Sequence, residues 1–237
     1  MPDDCAYVLA IDSAVRGCGV CVYDTKSPSQ SVRRHIDVSR GQAETLIPLV
    51  EESMQKSGIG FEQIGLMACT RGPGSFTGVR VGISAAKSYA LALSIPLIGV
   101  STLELMARQY YNKQEATPNH LCVLLESKRT EFYCQIFEGN GEAQSAPAAL
   151  SAQDIGKLCA QDTVFIGDGF ARFSKEMDSD FSGQYVEGFE YPDPFILAEM
   201  GFECFQNDQN ISESIAPLYL RNADVSAPKT LPRQLEK

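Results

Sequence analysis

Histidine is scarce: the 237 residues hold two, His35 and His120. Neither lies near a serine or cysteine in a recognised catalytic motif, and no HExxH pair exists. A histidine-based nucleophilic triad therefore has little support, and no helical metal pair is offered. Excess positive charge is lacking too. Twenty Lys and Arg stand against thirty Asp and Glu, a net charge of −10, and the pI is about 4.7. Such a chain gains little from phosphate counterion release, so any nucleic acid would have to be held mainly by a partner's basic surface. Long apolar runs are also missing. The longest uncharged stretch, Ser88 to Leu103, contains Pro96 and Gly99 and falls short of the ~20 residues a spanning helix needs. The acidic start Met1-Pro2-Asp3-Asp4 runs directly into a strand, so no secretory leader is expected. No internal sequence repeat and no low-complexity tract is found.

Hydrophobic residues make up 44% of the chain, enough for a normal globular core. The eight cysteines are scattered. Cys5, Cys18, Cys21, Cys69, Cys122 and Cys134 sit in or beside apolar runs, the usage of a reducing cytoplasm, where Cys acts as a small hydrophobe. Cys18 and Cys21 have CxxC spacing. On a strand, residues three apart face opposite sides, so the pair reads as core and no metal is expected.

Tyr7 to Ile11 is a continuous apolar run that ends in Asp12-Ser13, a buried strand delivering a carboxylate to a sheet edge. Gly17 to Tyr23 is a second strand, and Val32 to Val38 alternates as a third. A helix is expected from about Gln42 to Lys56, with Pro48 either bending it or delaying its start. Gly65 to Thr70 is a fourth strand. The glycine loop Arg71-Gly72-Pro73-Gly74-Ser75-Phe76-Thr77-Gly78 follows, then a long helix to about Ser94, a strand Leu97–Val100, and a helix from Ser101 or Thr102 to Tyr111. That order, βββαβαβ and a helix, resembles one lobe of the actin-like ATPase and sugar-kinase superfamily. The implied fold class is α/β, two-lobed, with mixed sheets flanked by helices. Strands Leu121–Leu125 and Phe132–Phe137 start a second lobe. It continues through a helix capped by Ser151, a strand at Val164–Ile166 closed by Gly167-Asp168-Gly169, and a helix opened by Asp193-Pro194. The expected division is 1–110 for the first lobe, 111–212 for a smaller second lobe and 213–237 for a tail, loosely held past Ala223.

The glycine loop is neither a Walker loop nor a dinucleotide fingerprint, since it lacks the Lys-Ser/Thr and the spacing. Two readings remain for it. Asp12, Ser13, Gly74 and Ser75 could border a cleft for a nucleotide or anion at the helix N-terminus. Alternatively, Ser75 or Thr77 caps the helix at a tight turn, which physics alone favours. Asp12 is likewise either a metal–phosphate carboxylate or a turn cap. The helix after the loop carries only Arg80 and Lys87 as charges, and Gly78, Gly82 and Ala86 recur every four residues. A helix apolar nearly all round must be covered on both sides, and a partner protein fits the second side.

The stretch from Arg71 to Gly82, continuing from Pro96 to Leu103, resembles the signature of the TsaB (YeaZ) family. Leu9-Ala10-Ile11-Asp12-Ser13, Glu131-Phe132-Tyr133 and Ile215-Ala216-Pro217-Leu218-Tyr219-Leu220-Arg221 resemble its opening strand, second-lobe hairpin and C-terminal motif. The resemblance implies a non-catalytic subunit that pairs with the paralogue TsaD, joined by the ATPase TsaE. TsaD transfers a threonylcarbamoyl group to the adenosine beside the anticodon of tRNAs reading codons that begin with A. TsaD's HxxxH metal motif would fall on Thr102 and Met106 here, neither a plausible ligand, so no metal is implied. No cofactor is required, and weak ATP or ADP binding stays open. Pairing would use Ala43, Ile47, Val50 and Met54 of the first helix with Gly78, Gly82, Ala85 and Tyr89 of the second, in a four-helix bundle with TsaD. A homodimer through the same face is compatible, tRNA would be held through partners, and the location would be cytoplasmic, with no membrane contact. Gly82→Glu is expected to break pairing and spare the fold. Gln42 stands where many relatives carry His, and Glu126-Ser127-Lys128-Arg129 replaces the usual Asp-Ala-Arg. The alternative is an enzyme in its own right, a nucleotide-dependent transferase or a glycoprotease.

Overall fold

The computed structural model describes residues 5–38, 41–114, 117–177, 181, 183–207 and 215–220. The first lobe is built on β1 (Tyr7–Asp12), β2 (Cys18–Asp24), β3 (Val32–Ile36), β4 (Ile64–Thr70) and β5 (Leu97–Val100), in the order β3-β2-β1-β4-β5. β1 pairs antiparallel with β2 and parallel with β4. Helices α1 (Gln42–Ser57), α2 (Phe76–Leu93) and α3 (Thr102–Lys113) complete this part. The second lobe holds β6 (His120–Glu126), β7 (Phe132–Glu138), β8 (Ala148–Leu150), α4 (Ala152–Leu158), β9 (Val164–Ile166), α5 (Phe170–Glu176) and β10 (Gln184–Tyr185). Its sheet runs β10-β9-β6-β7-β8. Here β6 pairs antiparallel with β7 and parallel with β9. The two sheets thus repeat one five-stranded plan, strand for strand, and the molecule has the actin-like two-lobed α/β fold.

Strand alternation divides the first sheet's core between its faces. Leu9, Ile11, Val20 and Met67 join Leu46, Val50, Val79 and Ile83 of α1 and α2. Val8, Ala10, Leu66, Ala68 and Ile98 face the other way, toward Ile196, Leu197 and Ala198 of α6 (Pro194–Gln206). Cys18 and Cys21 fall in these two separate clusters, on opposite faces as their spacing requires. Among the described residues no group of three metal-ligating side chains occurs, and no helix is long and apolar enough to cross a membrane.

α6 departs from the expected division. The split at residue 111 puts it in the second lobe, yet its apolar side closes the far face of the first sheet. Gly201 lets it come close: a methyl group there would lie 2.7 Å from Ala68 Cβ. Segment 215–220 also returns to the first lobe, with Ile215 buried in the main core and the Leu218 N–H donating to the Arg71 carbonyl at 2.7 Å. The tail past Ala223 lies outside the described residues. Pro48 neither delays nor ends α1, which begins at Gln42 and keeps Pro48 on its exposed side. Three short elements, β8, α5 and β10, go unmarked in the sequence, whereas α4 and β9, equally short, are marked by a Ser151 cap and a closing Gly-Asp-Gly.

Candidate functional site

The C-terminal ends of β1 and β4 bring Asp12, Ser13 and the glycine loop together. Asp12 is buried at the end of β1. Its Oδ1 accepts from Thr70 Oγ1 at 2.6 Å and from the Ala14 N–H at 3.1 Å. Burial pushes its carboxyl above the usual range, and these two donors pull it partly back. The Ala14 contact is the turn-capping one. Ser13 Oγ donates to the Gly78 carbonyl at 2.8 Å.

The glycines are filled from within. The Ser75 N–H donates to the Ala14 carbonyl at 2.6 Å. A methyl group at Gly74 would lie 2.0 Å from the Ala14 carbonyl oxygen, and one at Gly78 2.0 Å from that of Ser13. Ser75 caps α2, its Oγ accepting from the Gly78 N–H at 3.3 Å. The close approach that glycine allows is therefore made by the chain's own β1 loop. Gly74 and Ser75 meet the β1 loop at this junction.

The expected pairing face divides in two. Val50 and Met54 are buried in the main core, and Gly78 and Gly82 sit under α2 against Ser13. The small-residue stripe thus packs α2 on its own sheet, and Val50, Met54, Gly78 and Gly82 are buried within this chain. A methyl at Gly82 would meet Ser13 Oγ at 2.7 Å, so a glutamate there strikes the fold first. Ala43 and Ile47 do face outward, and Ala85 and Tyr89 are half-buried, with Tyr89 stacked on Phe61. Sequence spacing missed what α2 exposes instead: Phe76, 58% exposed, and Leu91, 83% exposed. Arg80 lies between them on the exposed side, its guanidinium 3.7 Å from the Phe76 ring centroid and its Nε donating to Tyr219 Oη at 2.7 Å. Both charges of α2, Arg80 and Lys87, are exposed. That was the available signal, since charge marks the solvent side of a helix whose apolar side chains are uninformative.

At the matching end of the second sheet, Glu126 occupies the place of Asp12. Arg172 grips its carboxylate with two N–H donors at 2.7 and 2.9 Å, also binds Glu176 at 2.7 Å, and lies 3.6 Å over the Phe132 ring. The Glu126 N–H donates to Asp168 Oδ1 at 2.9 Å. Burial pushes the Asp168 carboxyl up to about 6. Arg172 was not singled out in the sequence, although its i,i+4 spacing from Glu176 is a helical signal. Asp168 serves the turn after β9, as its flanking glycines suggest. Thr102 and Met106 are fully buried at the start of α3, and a hydroxyl with a thioether is no donor set for iron or zinc.

Comparison with known proteins bears on these residues. The family model described as TsaD, tRNA N6-adenosine threonylcarbamoyltransferase, matches residues 36–216. The tRNA threonylcarbamoyladenosine biosynthesis protein TsaB of Escherichia coli is 35% identical over 229 residues, 91% of this chain and 94% of that one. The Haemophilus influenzae protein of the same name is 26% identical, covering 91% and 93%. A solved structure from Pseudomonas aeruginosa, described as similar to peptidase YEAZ, superposes with a TM-score of 0.77 at 22% identity, over 91% of this chain and all of that one. That likeness concerns the fold.

Proposed function

The chain belongs to the TsaB (YeaZ) family, relatives of TsaD, and from that premise we propose that it is a non-catalytic subunit of the machinery that makes threonylcarbamoyladenosine in tRNA. Its immediate partner is a TsaD-type paralogue, with a TsaE-type ATPase joining the pair. The paralogue performs the transfer to the adenosine beside the anticodon of tRNAs reading codons that begin with A. This chain supplies the surface that pairs with it.

The observation that carries the reading is the outer side of α1 and α2. Ile47, Phe76 and Leu91 leave apolar area in water beside Ala43 and Arg80. Side chains of this size, with an arginine among them, are what a partner's surface buries best. In the free protein the same face serves a homodimer. The cleft beside Asp12 supports the reading as well, because the Ser75 N–H, a loop donor a nucleotide would use, is spent on the Ala14 carbonyl. No cofactor is required in this role, and ATP or ADP would bind there weakly. With a charge of −10, the chain leaves tRNA to its partners, and the work is done in the cytoplasm.

The test is threonylcarbamoyladenosine formation on tRNA, with the TsaD- and TsaE-type proteins, the adenylate intermediate and ATP supplied. Product should depend on adding this chain, and the chain alone should make none. Equal product without it would sink the subunit reading. Turnover by the isolated chain would favour an enzyme in its own right.

A further inference from the structure

A cavity of about 320 Å³ lies between β3 and segment 188–194, which carries the chain from the second sheet back to α6. It is remote in sequence from the glycine loop, and neither the resemblance nor the pairing surface accounts for it. Its walls offer donors and rings together. Arg33 and His35 are two residues apart on β3 and so project to the same side. The His35 ring stacks on Tyr191 with centroids 5.0 Å apart and planes at 26°. Tyr191 Oη donates to Asp37 at 3.4 Å, which steadies the wall from behind.

Gln109 of α3 lines the cavity while only 3% exposed. Its Oε1 accepts from the Asp193 N–H at 3.0 Å. Its amide nitrogen, carrying two N–H groups, has no partner among the described residues. These donors are available to an acceptor placed in the cavity. Arg33 uses Nη1 on Asp193 Oδ2 at 3.2 Å, which leaves most of the guanidinium's five N–H groups free for a second acceptor. Within a chain of net charge −10, this corner sets Arg33, Arg34, His35 and the Gln109 amide against one carboxylate, Asp193, beside a stacked aromatic pair.

We propose that the cavity binds a small aromatic anion of about the size of a nucleoside monophosphate. Its oxyanion meets Arg33 and the Gln109 amide, and its ring packs on the Tyr191–His35 pair. Guanidinium N–H groups suit a phosphate or carboxylate through parallel hydrogen bonds, and a flat ring adds stacking area. The volume falls at the small end of ligand pockets, which excludes a polymer. An occupant would touch β3, α3 and the segment that returns to α6 at once.

Calorimetric titration of the full chain with AMP, inorganic phosphate and adenosine tests this. AMP should bind, and phosphate and adenosine should each bind at least tenfold more weakly. Arg33→Ala and Tyr191→Leu should each weaken AMP at least tenfold while leaving the far-UV spectrum unchanged. No heat with AMP at 10 mM would overturn the proposal. So would AMP binding that Arg33→Ala and Tyr191→Leu leave intact, which would place the nucleotide elsewhere. Phosphate binding as tightly as AMP would overturn the aromatic half of the assignment.

Discussion

Asp168 shows how one buried carboxyl sets a pH dependence. Burial holds its folded pKa at about 6, above the ~3.9 of an unfolded chain. The protonated form is thus favoured by folding. That contribution is fully present below about pH 4 and is lost as pH rises through 6. Asp168→Asn keeps an oxygen for the Glu126 N–H and cannot ionise. It should be more stable than the parent by about 1–2 kcal/mol at pH 7.5 and equal to it at pH 4. Urea unfolding at the two pH values checks this, and a parent that is equally or more stable at pH 7.5 would refute it. Residues like this mark the limit of the sequence. The position of Asp168 in a Gly-Asp-Gly turn was legible, but the Leu124 and Glu126 backbone that closes over it is 42 or more residues away. The same holds at Gly78 and Gly82. Their four-residue spacing was plain, yet only the placement of Ser13 decides that they face inward.

At the scale of the helix, α2 is ambiguous by composition. An apolar helix gives a weak periodic signal, so its inward and outward sides must be read from the charges or from the structure. The strongly patterned elements were legible for that reason: β1, β4, β5, β9 and the start of α6 begin or end within a residue or two of the sequence reading. Leu91, near the exposed C-terminal end of α2, touches no core cluster. Leu91→Glu should therefore leave the thermal midpoint within about 2 °C of the parent. It should weaken co-purification with the TsaD-type partner at least tenfold, because a charge buried without a counterpart at an interface is costly. Pairing that survives the substitution would move the contact off this end of the helix.

In the whole molecule, one five-stranded plan is used twice, with β1 matched by β6 and β4 by β9. No sequence repeat announces it, since pairing depends on backbone hydrogen bonds and alternation rather than on particular side chains. α6 closes the first sheet from the far side of the second lobe in sequence, and no local pattern could assign it there. A chain ending at Gly188 keeps both sheets but leaves Val8, Ala10, Leu66, Ala68 and Ile98 uncovered on one face. That truncation should be insoluble, or bind a hydrophobic dye strongly, where the full chain does not. A soluble, dye-silent product would show that α6 is dispensable. The same arrangement fixes an order of events at the ribosome. The earliest strands to leave the exit tunnel keep a bare oily side until α6 follows them, and it is surface of that kind that chaperones cover.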